Sequence, residues 1–279
     1  MMTAYHYVLI IALTAIIAIR IILWWGNHWK KRAREAYMVI GQHGESPEER
    51  EWGYRNALLA GERKALLFYV CTAMDKFMGM RPLTPQGFDD GQGSIIPYVF
   101  YDYYLPMRLR GYGTESQKAL SQLVYDFKEG RADATAYYLR AIASLGLSGQ
   151  LTILFMPCSS ERRYYQRFSK LSREFGRYRE LEPELYSMKY IAERRSKHRS
   201  TDRWSISPED NIIVDANVVG KQNCVLLDDV CTTGDSIRAH IAELRCYGVR
   251  VVGVVCLGQT AHAPTHKEIM KQARKDDEQ

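Results

Sequence analysis

The chain has 279 residues, 46% of them apolar and 25% charged, an ordinary globular composition with room for one large or two small domains and with no internal repeat or low-complexity tract. A formal net charge of +6 and a pI near 8.9 favour anionic ligands or surfaces but do not by themselves argue for nucleic acid. Six cysteines (Cys71, Cys158, Cys224, Cys231, Cys246 and Cys256) form no C-x-x-C pair and have no paired His, which argues against a disulfide framework or a zinc site and for buried thiols in a reducing compartment.

Residues 5–25, YHYVLIIALTAIIAIRIILWW, have the length of a bilayer span, about 20 residues. Arg20 lies about one turn from Trp24 and Trp25, which fit an interfacial belt. The flank that follows carries Lys30, Lys31, Arg32 and Arg34, and by the positive-inside rule it predicts a single-pass protein of the inner (cytoplasmic) membrane with its N-terminus outside and its body in the cytoplasm. A buried core helix is the other reading of this run. Residues 33–46 read as a connector. Ser46-Pro47-Glu48-Glu49 is a helix start, with Ser as N-cap and Pro at the first helical position, and predicts a helix over 47–60. A second is predicted over 62–78. This helical hairpin reads as a spacer or as a dimerisation element, so a second copy of the chain is a candidate partner.

The Pro- and Gly-rich residues 81–93 read as a loop. Beyond it the pattern predicts an aromatic strand over 95–104, helices over 114–127 and 132–144, and a buried strand over 151–156. Arg162, Arg163, Arg167, Lys170, Arg173, Arg177 and Arg179 decorate a helix or loop after it. Strand candidates at 187–191 and 211–214 flank a basic, polar segment, residues 192–205. A helix over 236–247 with Gly248 as its cap, a buried strand over 251–257 and a polar tail close the chain. The domains implied are 1–32, anchor and basic flank; 33–94, helical linker region; 95–260, an α/β domain; and 261–279, a polar tail. Strands alternating with helices predict a mostly parallel sheet.

Within that domain one run stands out: residues 223–237, NCVLLDDVCTTGDSI. An apolar strand leads into two acids, Asp228 and Asp229, then a small-hydroxyl loop of Thr232, Thr233, Gly234, Asp235 and Ser236, then a helix. A parallel sheet binds ligands at the carboxyl ends of its strands, the next helix offers free N–H groups to an anion, and glycine lets backbone approach closely. An ordinary strand–turn–helix capped by Asp235 or Ser236 is the bland reading of the same residues.

The run resembles the signature for 5-phosphoribosyl 1-diphosphate (PRPP) of type I phosphoribosyltransferases: apolar strand, two acids, T-T-G-x-[ST] loop. The resemblance implies an α/β fold with a mostly parallel sheet of that type, preceded here by the transmembrane helix and the helical hairpin. It also implies roles. Asp228 and Asp229 would hold the ribose hydroxyls, and Thr232, Thr233, Gly234 and Ser236 would wrap the 5′-phosphate, with Asp235 at a variable position. Over residues 98–260 the chain is most similar to the ComF-type, competence-associated branch. Leu123 to Arg131, LVYDFKEGR, is similar to its L-I-x-x-F-K-Y-x-G segment, and Pro157-Cys158-Ser159-Ser160 resembles its turn after the first strand, without the usual P-V-P. ERRSKHRSTDRWS is similar to its flexible basic loop, while the four-cysteine zinc element at the front of many members is missing.

Phosphoribosyl transfer, as the resemblance implies it, releases pyrophosphate from the ribose C1 of PRPP, with Mg²⁺ carried on substrate oxygens and no protein ligand of its own. Cys158, Ser159 and Ser160 would meet the pyrophosphate through backbone N–H groups, unless they are a plain strand-ending turn. Arg194, Arg195, Lys197, His198 and Arg199 would close over it, with Arg195 and Lys197 the catalytic candidates, unless the loop is merely a solvated basic one. The expected ligand is PRPP or a nucleoside monophosphate; the acceptor, a base or amine, is not readable. The alternatives are a non-catalytic module that senses PRPP or a nucleotide and is coupled to DNA handling, and a membrane-tethered phage-defence effector.

Overall fold

The computed structural model describes residues 4–190 and 212–278, and it divides into two compact units, one of Met1–Ala73 with Ala263–Gln279 and one of Met74–His262.

The first unit is helical. Helix α1 (Ala4–His43) is one uninterrupted element of 40 residues, about 60 Å long at 1.5 Å per residue. It runs past Arg20 and through the Lys30 to Arg34 flank without a break, so the apolar run is not an element of its own. Among the described residues no helix is long and apolar enough to cross a membrane. That overturns the transmembrane helix and the membrane partnership expected for residues 5–25. The single-pass topology, with its outside N-terminus, inner-membrane location and cytoplasmic body, falls with it.

Helix α2 (Pro47–Leu59) folds back on α1. Ser46 caps it by accepting the Glu49 N–H at 3.1 Å, Glu49 accepts the Glu45 N–H at 2.7 Å, and Arg50 Nη1 donates to the Gly44 carbonyl at 2.7 Å. The two backbones nearly touch. A Cβ on Gly53 would lie 2.3 Å from the Gly41 nitrogen and 2.8 Å from the Tyr37 oxygen, so neither flexible side chain nor solvent is there to give way. The helix predicted over 62–78 breaks into α3 (Ala65–Thr72), in this unit, and α4 (Met74–Met78), which belongs to the second. At the break the Thr72 hydroxyl donates to the Phe68 and Tyr69 carbonyls, in competition with the helical ladder. The polar tail is helical too: α9 (His266–Asp277) starts on a Thr265–Glu268 capping box and docks in this unit, where Asp276 receives the Tyr69 hydroxyl on its carboxylate (3.0 Å) and Arg55 on its carbonyl (2.7 Å).

The second unit carries β1 (Gln86–Asp89), β2 (Ile95–Tyr104), α5 (Glu115–Lys128), α6 (Thr135–Ser144), β3 (Leu151–Phe155), α7 (Glu161–Phe175), β4 (Leu181–Glu184), β5 (Met188–Tyr190), β6 (Ile212–Val214), β7 (Cys224–Cys231), α8 (Asp235–Cys246) and β8 (Val251–Thr260). Six strands form a sheet of order β1-β2-β8-β7-β3-β4, with β1 antiparallel and the rest parallel; β5 and β6 pair antiparallel as a separate ribbon. Residues 81–93, read as a loop, contain β1, which four residues with a central glycine do not announce. Strand β4 escapes a hydrophobic reading because LEPE is polar, and its Pro183 is tolerated only because the strand is an edge.

Alternation along the strands fixes what each face buries. Val99, Ile153, Phe155, Val225, Leu227, Val255 and Leu257 share one core with α5, α6 and α7. The intervening Leu154, Leu226, Val254 and Cys256 are buried as well, as a sheet covered on both sides requires. From the sheet centre, β3 connects through α7 outward to β4, and β7 connects through α8 outward to β8. Right-handed crossovers running in opposite directions put the two helices on opposite faces. The strand order therefore reverses between β3 and β7, and the crevice at their carboxyl ends is where such sheets bind ligands.

The Gly41–Gly53 contact sets the first prediction. Gly53→Ala forces the α1–α2 hairpin apart and costs about 1–3 kcal/mol, read as a lower melting temperature in calorimetry. A melting temperature equal to wild type would show that the hairpin separates without cost.

Candidate functional site

Two loops meet at this crevice. Pro157 to Ser160 follows β3, and Thr232 to Ser236 follows β7. Strands β3 and β7 are hydrogen-bonded neighbours, with Phe155 beside Leu227, so the loops leave the sheet side by side.

The hydroxyl loop is built from several sides. Gly234 takes φ = 81°, a conformation glycine adopts without strain. A Cβ there would also sit 2.8 Å from the Phe88 ring, which β1 lays against the loop. Arg238 on α8 donates to the Thr233 carbonyl (3.0 Å), the Asp235 carboxylate (2.9 Å) and the Asp89 carbonyl (3.1 Å). Thr233 donates to Asp235 at 2.6 Å, Thr232 shares a hydrogen bond with Thr260 at 2.9 Å, and the Thr232 carbonyl accepts from Gln259 at 3.2 Å. Asp235 is thus a partner of the loop itself. The resulting cavity, about 110 Å³, is lined by Asp228, Thr232, Thr233, Gly234, Asp235 and Ser236 among others.

The two acids diverge. Asp229 follows Leu227 on the face covered by α5 and α7 and is 5% exposed. Lys128, the last residue of α5, reaches its Oδ1 at 3.1 Å, and Arg167 from α7 pairs with its Oδ2. Asp228 borders the loop cavity instead, its Oδ1 accepting the Asp229 N–H at 2.8 Å and its carbonyl accepting the Tyr138 hydroxyl at 2.9 Å. Burial, and then the Asp229 charge beside it, push the Asp228 carboxyl up to about 7. Burial opposes charge on Lys128 and Arg167, but Asp229, joined by Asp228 and, at Arg167, by Cys158 and Tyr138, raises both above their ordinary values.

In the second loop Ser160 is the N-cap of α7 and accepts the Arg163 N–H, and the Ser159 hydroxyl receives Arg163 Nη1 at 3.3 Å. Burial pushes the Cys158 thiol up to about 12, so it is no nucleophile at neutral pH. Asp228, Cys158, Ser159, Ser160 and the hydroxyl loop thus gather at one sheet edge. Arg195 and Lys197, with the rest of the basic segment 192–205, lie outside the described residues. Among the described residues no cluster of three or more His, Cys, Asp or Glu is placed to hold a metal ion.

Sequence reasoning missed Lys128, Arg167, Tyr138, Phe88 and Arg238 as site residues. Arg167 carried a signal: it falls three residues after Tyr164 and four before Leu171, on the buried stripe of α7, where a cation needs a partner.

No known protein family matches the chain, and no curated protein matches it. Among solved structures it is similar to phosphoribosylpyrophosphate synthetase from Mycobacterium smegmatis, at 10% identity over 72% of this chain and 80% of that one, with a TM-score of 0.26. A likeness that low carries no argument about fold or function, and none of these comparisons supports the competence-associated branch.

The neighbouring acids predict opposite outcomes. Because the folded-state pKa of Asp228 is raised, the folded protein keeps a proton that the unfolded chain sheds, and stability falls as pH rises from about 4 to about 7. Asp228→Asn is expected to be more stable than wild type at pH 8 and close to it at pH 4. Asp229→Asn leaves the largely covered Arg167 and the half-buried Lys128 without their counter-charge and costs about 3–5 kcal/mol. Urea melts of both variants at the two pH values check this, and equal effects would refute the division.

Proposed function

We propose that the crevice binds PRPP, or a nucleoside monophosphate as the product-side ligand, and that the protein transfers phosphoribose to a base or amine. The observation that carries this reading is the pairing of two loops at the reversal of strand order, one a hydroxyl loop around a cavity edged by Asp228, the other a turn opening α7. The cavity suits a phosphate monoester: hydroxyls and the N–H groups that open α8 are donors, and the positive end of that helix favours an anion. Asp228 would accept from ribose hydroxyls.

In the transfer, the bond from ribose C1 to the diphosphate oxygen breaks and the diphosphate leaves with the electron pair. A bond from C1 to the acceptor nitrogen forms, and that nitrogen loses a proton to solvent or a base. Positive charge grows on the ribose while negative charge grows on the leaving group, so cations near the Cys158 to Ser160 turn would assist departure. Mg²⁺, when present, travels on the substrate's diphosphate oxygens and neutralises part of their charge.

The test is calorimetric titration of the full-length chain with PRPP and Mg²⁺, followed by a pyrophosphate-release assay across purine and pyrimidine bases and simple amines. Micromolar binding and acceptor-dependent release are expected, with binding weakened about tenfold or more in Asp228→Ala, as for loss of hydrogen bonds to a charged group. Binding without release would reduce the site to a PRPP-sensing module. No binding would remove the reading.

A further inference from the structure

We infer that Lys128 is a ligand-binding residue of this crevice, contacting the diphosphate end of a ribose-phosphate donor, and that Asp229 is the buried counter-ion that aims it there and not a ribose ligand. The inference rests on the reading of the crevice as a PRPP site and assigns a part of that site which the signature leaves unassigned.

The argument starts from the strand. Successive residues on β7 alternate faces, so two consecutive acids do not serve one ligand in the same way. Asp229 points under α5 and α7, and both its oxygens are engaged, one by Lys128 and one by Arg167. A carboxylate held in that manner has little left to offer ribose hydroxyls, and releasing it would leave charges unpaired in a buried place.

The two cations differ in reach. Arg167 has 15% of its side chain exposed and Lys128 has 35%, so Lys128 is the more accessible of the two side chains. An ammonium has three donors, and Asp229 occupies Lys128 at a single oxygen. Lys128 stands at the C-terminal end of α5, where the chain turns away and nothing prolongs the helix over it.

Position decides which part of the ligand it meets. The hydroxyl loop is tied to β8 through the Thr232–Thr260 and Gln259–Thr232 contacts, so the 5′-phosphate cavity lies on the β8 side of β7. Arg167 reaches Asp229 from α7, the helix that the Cys158 to Ser160 turn opens on the β3 side, and Lys128 reaches it from the end of α5, which packs over β2 and β8. Both cations are close enough to that turn for their charge to act on the Cys158 thiol. A ribose spanning the end of β7 with its 5′-phosphate in the cavity directs its C1 substituent toward β3, and a strong anion beside the turn comes within the field of Lys128.

Full-length wild type, Lys128→Gln and Lys128→Arg are titrated with PRPP, with pyrophosphate and with ribose 5-phosphate, each with Mg²⁺. A hydrogen bond to a charged group supports about a tenfold or larger loss. Lys128→Gln is therefore expected to weaken PRPP and pyrophosphate by that factor and ribose 5-phosphate by less than about twofold, while Lys128→Arg restores most of the loss. A purely structural ion pair would lower all three affinities together or none of them, and either pattern overturns the inference. Circular dichroism melts show whether Lys128→Gln is folded; if it is not, acetylation of Lys128 in the wild type is followed by mass spectrometry, where pyrophosphate is expected to protect it and ribose 5-phosphate is not, and equal protection by both or by neither overturns the inference. Wild type that binds none of the three ligands would bring down the PRPP reading itself, an outcome distinct from wild-type binding with an unselective Lys128 variant.

Discussion

The site depends on one buried charge. Asp229 sits at the end of a central strand, covered, with Lys128 on one oxygen and Arg167 on the other. Taking such charges out of water is costly, and their attraction offsets the cost only when geometry is good and every partner is present. All three are therefore bound to a common outcome: β7, the end of α5 and the middle of α7 hold one arrangement, or a bare charge is left in the interior. Hydrophobic packing of Phe127, Phe168 and Tyr138 around them sets the distance at which this works. The triad thereby fixes the end of β7 relative to the helix that the Cys158 to Ser160 turn begins.

Topology then supplies the crevice. Two right-handed crossovers leaving a common centre in opposite directions separate α7 from α8 and leave a crevice above the ends of β3 and β7. The hydroxyl loop is pre-shaped in it by contacts that do not involve a ligand: Phe88 beneath Gly234, Arg238 across Thr233 and Asp235, and Thr260 on Thr232. A loop held that way would lose little conformational freedom if a ligand filled it.

Much of this was legible in the residues, for reasons that can be stated. Strands over 95–104 and 151–156 and the start of β7 read correctly because a covered parallel strand is continuously apolar. The cap at Ser46 read correctly because an N-cap is a local chemical fact. The hydroxyl loop announced itself for the same reason, its donors being contiguous. What did not read was whatever depends on distant segments. β1 and β4 are short and polar and exist through their pairing. The apolar opening of α1 looked like a separate span because composition, not continuity, was being read, and the helix in fact runs on through its basic flank. Lys128 and Arg167 lie 39 residues apart in sequence by their numbers and meet only on Asp229.

The acidic pair shows how a strand sorts residues that a motif counts together. Side by side in sequence, Asp228 and Asp229 suggest two like ligands. On a strand they face different worlds, one a cavity and the other a pair of cations. The same alternation that sorts Val225 and Leu227 from Leu226 sorts these two acids. Their proximity then couples them: the charge on Asp229, kept by its cations, is part of what raises the pKa of Asp228. A carboxyl poised near neutrality at the edge of the loop cavity is sensitive to any cation brought next to it, which would favour its ionised form. The buried acid thus adds to the burial that raises the pKa of its neighbour.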